Sequence, residues 1–392
     1  MSVWLVIVLL FVLSSLGYLK ARRLMSPLFI SPFIWGLLIL CYKAIPHDLY
    51  PLNNQFLIAV IIWNVGFFLS ALIFDSTDLK LFYLGVNDVH ISIRDLFFYL
   101  TVLLTPVVCF LLYREAINGS SPFFFLNLRS INTGVEDTTF SLGILSYIFN
   151  IALICLFIEI CENKERFFNF RIVLLLISNI LLSVMTVGRT SFLYLFVGIV
   201  ICLYFKGLLK ARHFLIFFVF LILLFGGLTM MRSFDASVSL GDLVAETLKV
   251  YVFSGMPAFD TLTVAHDGYF GANSFRFVYA VMNSLGADVP VSKTIYEYTE
   301  VPNLTNVYTV MYPFFVDFGY QGVFFGGFIY GLIYQFFFSL SLGCNKIAVI
   351  FFAFLFTSML LQFFGEYLFT NFSNTLQFLI ITILPYARFR TR

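Results

Sequence analysis

Apolar positions in this chain neither alternate nor mark out one helical face; they come in long runs. Stretches able to cross a hydrocarbon core of about 30 Å as helix recur from one end to the other. They predict spans at roughly 3–19, 27–44, 55–74, 96–113, 141–161, 168–187, 190–205, 214–231, 314–340, 347–366 and 371–386. Helices apolar all round need lipid or a large core about them. The pattern therefore predicts an all-α polytopic membrane protein with about 11 transmembrane helices.

Polar positions divide the chain into three. Residues 1–231 carry the first eight spans, residues 232–312 form one large loop, and residues 313–392 carry the last three spans and a short basic tail. Within the large loop, Leu240, Leu243, Val244, Thr247, Leu248 and Tyr251 recur at helical spacing, with Asp242, Glu246 and Lys249 off the stripe. That spacing predicts an amphipathic helix lying against the bilayer or over the bundle. Gly255-Met-Pro257 is expected to break it, and a second short helix is expected from Ser274 to Ser284, ending near Gly286. The stretch from Pro290 to Pro313, rich in Tyr, Thr and Asn, is expected to return to the membrane surface. A shorter loop, Arg114 to Thr139, holds Phe123-Phe-Phe125 and Arg129.

Composition excludes a soluble domain. The chain is 61% hydrophobic, 20% aromatic and 11% charged, where soluble domains carry about 25% charged residues. The first run, Val3 to Leu19, is followed rather than preceded by Lys20, Arg22 and Arg23. A cleaved signal peptide has the opposite order, so this run is read as a retained helix starting outside. That orientation puts fifteen Lys and Arg residues on the inner side and eight on the outer, as the positive-inside rule requires. The tail Arg388-Phe-Arg-Thr-Arg392 is then cytoplasmic. The six cysteines lie in apolar spans or a short inner loop and imply no disulfide framework or metal site.

Outward arginines run against the charge rule and carry the candidate chemistry. Arg189 sits in Val187-Gly-Arg-Thr-Ser-Phe192, a very short turn between two spans that pins it at membrane depth. Arg232 follows Met230-Met231 at the top of the eighth span, and Arg276 falls in the second loop helix. Each alone has an ordinary explanation: a snorkelling anchor, a local pair with Asp235, a solvated helix face. As a set, three outward guanidinium groups suit a phosphate or pyrophosphate head group on a lipid-linked substrate. They would stabilise the charge gained as a glycosidic C–O bond breaks.

From Asn303 to Gly319, amides, hydroxyls and aromatic rings alternate, an arrangement suited to a sugar; Asn306, Tyr308 and Tyr312 lie here. Asp317, just inside the ninth span, and Glu366, after Phe363-Phe-Gly365, are ionisable groups near outer span ends. Either could be a general base for an acceptor hydroxyl, with His266 beside Asp267 a third candidate. No GxxxxGK[ST] loop, HExxH, DxD-like acidic pair or Cys/His set at metal spacing occurs, so a metal-independent site without cofactors is expected.

Three of these segments, Val187–Phe192, Tyr251-Val-Phe-Ser-Gly-Met-Pro-Ala-Phe-Asp260 and Thr305–Gly319, resemble the Wzy-type O-antigen polymerases, the oligosaccharide repeat unit polymerases. Size, span number and the large loop agree with that family. Its Arg-x10-Gly loop pattern is not carried over, because Gly286 falls one residue short of that spacing from Arg276. The resemblance implies a GT-C-like fold in the bacterial inner membrane with the large loop and active site in the periplasm. It implies transfer of the growing glycan from undecaprenyl diphosphate to the non-reducing end of a lipid-linked repeat unit. On that footing Arg189, Arg232, Asp317 and Glu366 are the catalytic candidates. Arg276, Asn306, Tyr308, Tyr312, Asp260 and His266 are the substrate-binding candidates. The implied partners are membrane lipid, the undecaprenyl-diphosphate-linked oligosaccharide and a chain-length regulator protein, with no nucleic acid. An O-antigen ligase is the nearest alternative. A lipid-linked oligosaccharide flippase or other transporter is the alternative of another class, though paired halves with midplane polar residues are not evident.

Overall fold

The computed structural model describes residues 1–74, 88–133, 140–163, 169–209, 241, 248–265, 269–293 and 296–387. The expected span 214–231, Arg232, His266, most of the 240–251 stripe and the basic tail lie outside these residues. The α-helices, in chain order, are α1 (Val3–Ala21), α2 (Pro27–Ala44), α3 (Asn54–Ala71), α4 (Ile91–Ile117), α5 (Phe124–Thr133), α6 (Ile148–Glu162), α7 (Phe170–Thr186) and α8 (Arg189–Phe205). They continue with α9 (Gly255–Phe259), α10 (Arg276–Ser284), α11 (Tyr312–Leu342), α12 (Lys346–Leu360) and α13 (Phe372–Ile383). Among the described residues, six helical stretches are long and apolar enough to cross a membrane: α1 to α4, the run Gly143–Glu162 ending in α6, and α11. Helices α7, α8, α12 and the run Phe372–Tyr386 are apolar but shorter. All six cysteines are free.

The chain divides into two compact units, each discontinuous in sequence. The first comprises Met1–Tyr83, Ala245–Gly343 and Ser358–Thr375. Its spans pack by close backbone approach at glycine. A Cβ on Gly66 would lie 2.4 Å from the Phe324 carbonyl oxygen, one on Gly327 2.4 Å from that of Trp63, and one on Gly331 2.2 Å from that of Phe67. Small residues bring α3 and α11 together where no hydrophobic drive between lipid-bathed helices exists. Below the glycine seam a polar knot ties three segments. Gln362 Oε1 accepts from the indole N–H groups of Trp35 (3.0 Å) and Trp63 (3.2 Å), with Ser31 Oγ at 3.3 Å. The oxygen of Gln362 is thereby met by three donors, while its Nε2 is buried with no partner among the described residues.

The π-helical turn at Leu248–Phe253 ends ahead of Gly255-Met-Pro257, and after a turn at Ser254 those residues begin a separate short helix, α9. Pro257 is tolerated there because first-turn N–H groups have no intrahelical acceptor. Met256, Ala258 and Phe259 are buried. Gln55 Nε2 donates to the Phe259 and Leu262 carbonyls at 3.0 and 2.9 Å, fastening this loop to the start of α3.

The second unit comprises Leu84–Val244, Cys344–Thr357 and Leu376–Arg392. At one end of these helices an ion cluster joins α4, α6 and α7. Buried Glu159 lies 3.5 Å from Arg94 and 3.3 Å from Arg171, and Arg171 also meets Asp95 at 2.7 Å. The Arg171 guanidinium sits 4.4 Å over the Phe98 ring. Nearby on α6, Glu162 takes Lys346 (2.6 Å) and the Tyr386 hydroxyl (3.1 Å). Acidic residues persist in an apolar helix here because cations meet them.

Candidate functional site

In the first unit a hairpin and two loop ties assemble a tyrosine platform beside an arginine. Strands β1 (Thr299–Glu300) and β2 (Leu304–Thr305) pair antiparallel, Thr299 opposite Thr305 and Glu300 opposite Leu304. Three positions further out, that register sets Tyr296 against Tyr308. Their ring centroids lie 5.8 Å apart, and Tyr312 packs on both, at 4.0 Å from Tyr296 and 4.7 Å from Tyr308. The Tyr308 hydroxyl donates to the Glu297 carbonyl at 3.1 Å. Burial pushes the Tyr308 phenol above its ordinary pKa, with the Glu297 charge adding to it. The Tyr296 phenol is raised for the same first reason, then by the nearby Glu366 charge, while Thr370 and Arg276 oppose the rise. Tyr296 is thus held as a neutral donor among Glu366, Thr370 and Arg276.

Arg276 is the first residue of α10. Its Nε donates to the Ser292 carbonyl at 2.7 Å, and Nη1 makes a long contact to the Thr370 carbonyl at 3.5 Å. It forms no ion pair among the described residues. Carbonyl dipoles orient this guanidinium without neutralising it. The cation also stands at the positive end of its helix dipole, where an anion would be favoured and a cation is not.

Both carboxylates expected as base candidates act on the peptide around Arg276. Asp317 accepts from Ser274 N–H at 2.6 Å, Asn273 N–H at 3.1 Å and Asn273 Nδ2 at 2.8 Å, fixing the two residues ahead of Phe275 and Arg276. Glu366 accepts from Leu368 and Phe369 N–H at 2.7 Å, from Thr370 N–H and from the Tyr330 hydroxyl. It holds the turn whose Thr370 carbonyl faces Arg276. Three donors on Asp317 and four on Glu366 fix where each carboxylate sits. Among the described residues Glu366 Oε2 accepts from Thr370 N–H alone, so a carboxylate's roughly four acceptor sites are not all filled.

Asp260 is likewise engaged. It accepts from Asn53 N–H at 2.7 Å and Phe56 N–H at 2.8 Å, capping α3. Burial raises its pKa, against the pull of those two bonds. Asn306 is half-buried and follows β2 directly on the way to Tyr308, with no side-chain hydrogen bond among the described residues. Asn303 Nδ2 is buried without a partner.

In the second unit Arg189 is the first residue of α8, only 8% exposed. The turn ahead of it is strained: Val187 takes φ 49°, a left-handed conformation that costs a β-branched residue about 1–3 kcal/mol. Thr186 Oγ1 and Ser191 Oγ, 3.1 Å apart, brace the turn across Gly188. Arg189 and Arg276, each in its own unit, therefore share the same unusual setting at the first helical position.

Sequence reading missed Tyr296, Asn273, Ser274 and Thr370. Tyr296 lay within a stretch noted only as Tyr-rich; the hairpin register is the signal that would have found it. No group of His, Cys, Asp and Glu able to hold a metal occurs among the described residues.

Long apolar helices joined by loop-held polar clusters define a multi-pass helical membrane protein. Residues 4–363 match the family described as "Putative O-antigen polymerase", and the chain belongs to that family. It is similar to an O-antigen polymerase of Shigella dysenteriae, 23% identical over 348 residues that cover 86% of this chain and 85% of the relative. No solved structure matches the chain. The three segments of the sequence resemblance all lie within the matched residues.

Proposed function

We propose that this chain polymerises lipid-linked oligosaccharide repeat units on the periplasmic face of a bacterial inner membrane, within a GT-C-like bundle. The observation that carries the reading is the family match across residues 4–363. In the reaction, a hydroxyl of the acceptor's non-reducing sugar attacks the anomeric carbon of the growing glycan. The C–O bond to undecaprenyl diphosphate breaks, the diphosphate leaves with the bonding pair, and the hydroxyl proton passes to solvent or a base.

Arg276 and Arg189 are assigned to lipid diphosphates, and Arg232 is proposed alongside them. Their charge is pre-oriented, so it meets the charge on the departing diphosphate without reorganisation. The half-buried rings of Tyr296 and Tyr312 are assigned to a sugar, with Tyr308 buried against them as support and half-buried Asn306 a further contact. His266 remains a proposed substrate contact. Charge neutralisation by guanidinium needs no metal in this reading, so the purified polymerase should keep its rate in excess EDTA. A chain-length regulator is the proposed protein partner.

The testing experiment is a lipopolysaccharide gel from cells with the gene deleted and then restored. Core carrying one repeat unit, with the long ladder lost and then recovered, supports polymerase. Core with no repeat unit would overturn it in favour of a ligase or a flippase.

A further inference from the structure

Helix α10 turns its apolar stripe the wrong way for a soluble loop. None of its residues is buried. Phe275, Val278, Val281, Met282 and Leu285 recur along one face and are all exposed, Leu285 at 82%; Phe270, just ahead of the helix, is 76% exposed. The other face looks to the protein: Phe277 meets the Phe372 ring at 5.1 Å, and Arg276 reaches Ser292 and Thr370. An aqueous loop helix buries its apolar stripe and shows its polar one. Here the order is reversed, and Arg276 is the helix's one charged residue.

The stripe adjoins a lipid-facing surface. Phe270 packs on Phe318 at 4.9 Å, and Phe275 lies 6.3 Å from the same ring. Phe318 stands just before a kink at Gly319 (φ 62°), and beyond the kink Phe325 and Ile329, four residues apart, share one flank of α11, whose length and composition suit a membrane span. Phe325 is 62% exposed and Ile329 is also exposed, as side chains against acyl chains are. Exposed apolar side chains therefore occur both on α10 and, past the Gly319 kink, on the membrane-crossing part of α11, with the Phe270–Phe318–Phe275 ring contacts between them.

We propose that residues 269–285 form an interfacial segment, with α10 lying in the plane of the membrane. Phe270, Phe275, Val278, Val281, Met282 and Leu285 sink about 5–10 Å into the acyl boundary of that leaflet. The occupant of this face is bulk membrane lipid. The inference rests on the exposed stripe and does not require the polymerase reading. Where both hold, the interfacial helix sets Arg276 at head-group depth, the level at which a lipid-linked diphosphate travels.

The test is site-directed spin labelling of full-length protein in phosphatidylcholine vesicles, with the native cysteines replaced by alanine. Val278→Cys, Met282→Cys and Leu285→Cys should show a ratio of oxygen to nickel-chelate collisions roughly threefold or more above Asn283→Cys and Lys293→Cys. Equal ratios at all five positions would mean a water-facing helix. Low collision with both reagents at 278, 282 and 285 would mean a covering protein. Either result overturns the proposal. Should the cysteine-free chain fail to fold, the wild-type protein can be labelled in its own membrane with a diazirine-bearing phospholipid. Peptides holding Phe270 and Leu285 should take the label together with the peptide holding Phe325. Label on Phe325 alone would sink the inference.

Discussion

Glu159 and Glu366 are almost equally buried, at 4% and 5% exposure, yet they are satisfied in opposite ways. Glu159 lies between two arginines, with Asp95 closing the set, so its cluster neutralises its own charge. Among the described residues Glu366 meets no cation; three backbone N–H groups and the Tyr330 hydroxyl donate to its oxygens. The nearby Arg276 binds carbonyls, not carboxylates. The first arrangement spends its charge on joining helices. The second keeps acid and base apart through neutral dipoles, which leaves Arg276 without an ion pair among the described residues. A sequence-level count of acids and bases does not distinguish the two, because only partner geometry does.

The comparison can be broken first at its structural side. Glu159→Ala strips the acid from between Arg94 and Arg171, and losing one partner of a buried pair costs about 3–5 kcal/mol. The expected result is a sharply lower melting temperature of the detergent-solubilised protein and poor recovery from membranes. On the other side, Arg276→Ala should leave membrane abundance near normal. Its polymerisation rate on lipid-linked repeat units should fall about 10²–10³-fold, the usual cost of removing one charge-stabilising donor. Arg189→Ala is expected to behave alike; full-length polymer from both variants would end the diphosphate assignment.

Glu366→Gln sharpens the contrast further. A carboxamide keeps the shape but presents an N–H₂ group to donors, leaving buried N–H groups unmet at about 1–3 kcal/mol. The turn carrying Thr370 should loosen, with faster amide exchange at residues 368–370 and a raised substrate KM. A loss of rate with unchanged exchange and KM would instead mark Glu366 as a group acting on the reacting atoms. The smallest effect belongs to Tyr308→Phe. It removes one hydrogen bond to the Glu297 carbonyl, worth about 1 kcal/mol, while the ring platform stays. Its melting temperature should drop slightly, with rate kept within a few-fold.

The helical architecture was largely legible in advance, since ten of the eleven expected spans coincide with described helices and the other lies outside the described residues. Hydropathy is a local property, and a helix in lipid satisfies its backbone within its own segment, so run length alone announces it. Arg189 and Arg276 stood out along the chain as charges set against the expected positive-inside pattern, and the fold puts each at the first position of a helix. The family resemblance was also readable in short segments, and it agrees with the match over residues 4–363.

The roles of the acids were decided only by tertiary structure. Asp317 and Glu366 looked like free groups at span ends, but the fold folds loop N–H donors back onto them. Asp260 became a cap for a helix some two hundred residues earlier. Tyr296 joined Tyr308 and Tyr312 through a hairpin register that composition does not announce. Which helices carry membrane-crossing apolar runs follows from short-range hydrophobicity, which the sequence states residue by residue. Which polar groups are spent on the fold, and which are left for a substrate, depends on partners far apart in the chain, and those meet only once the helices have packed.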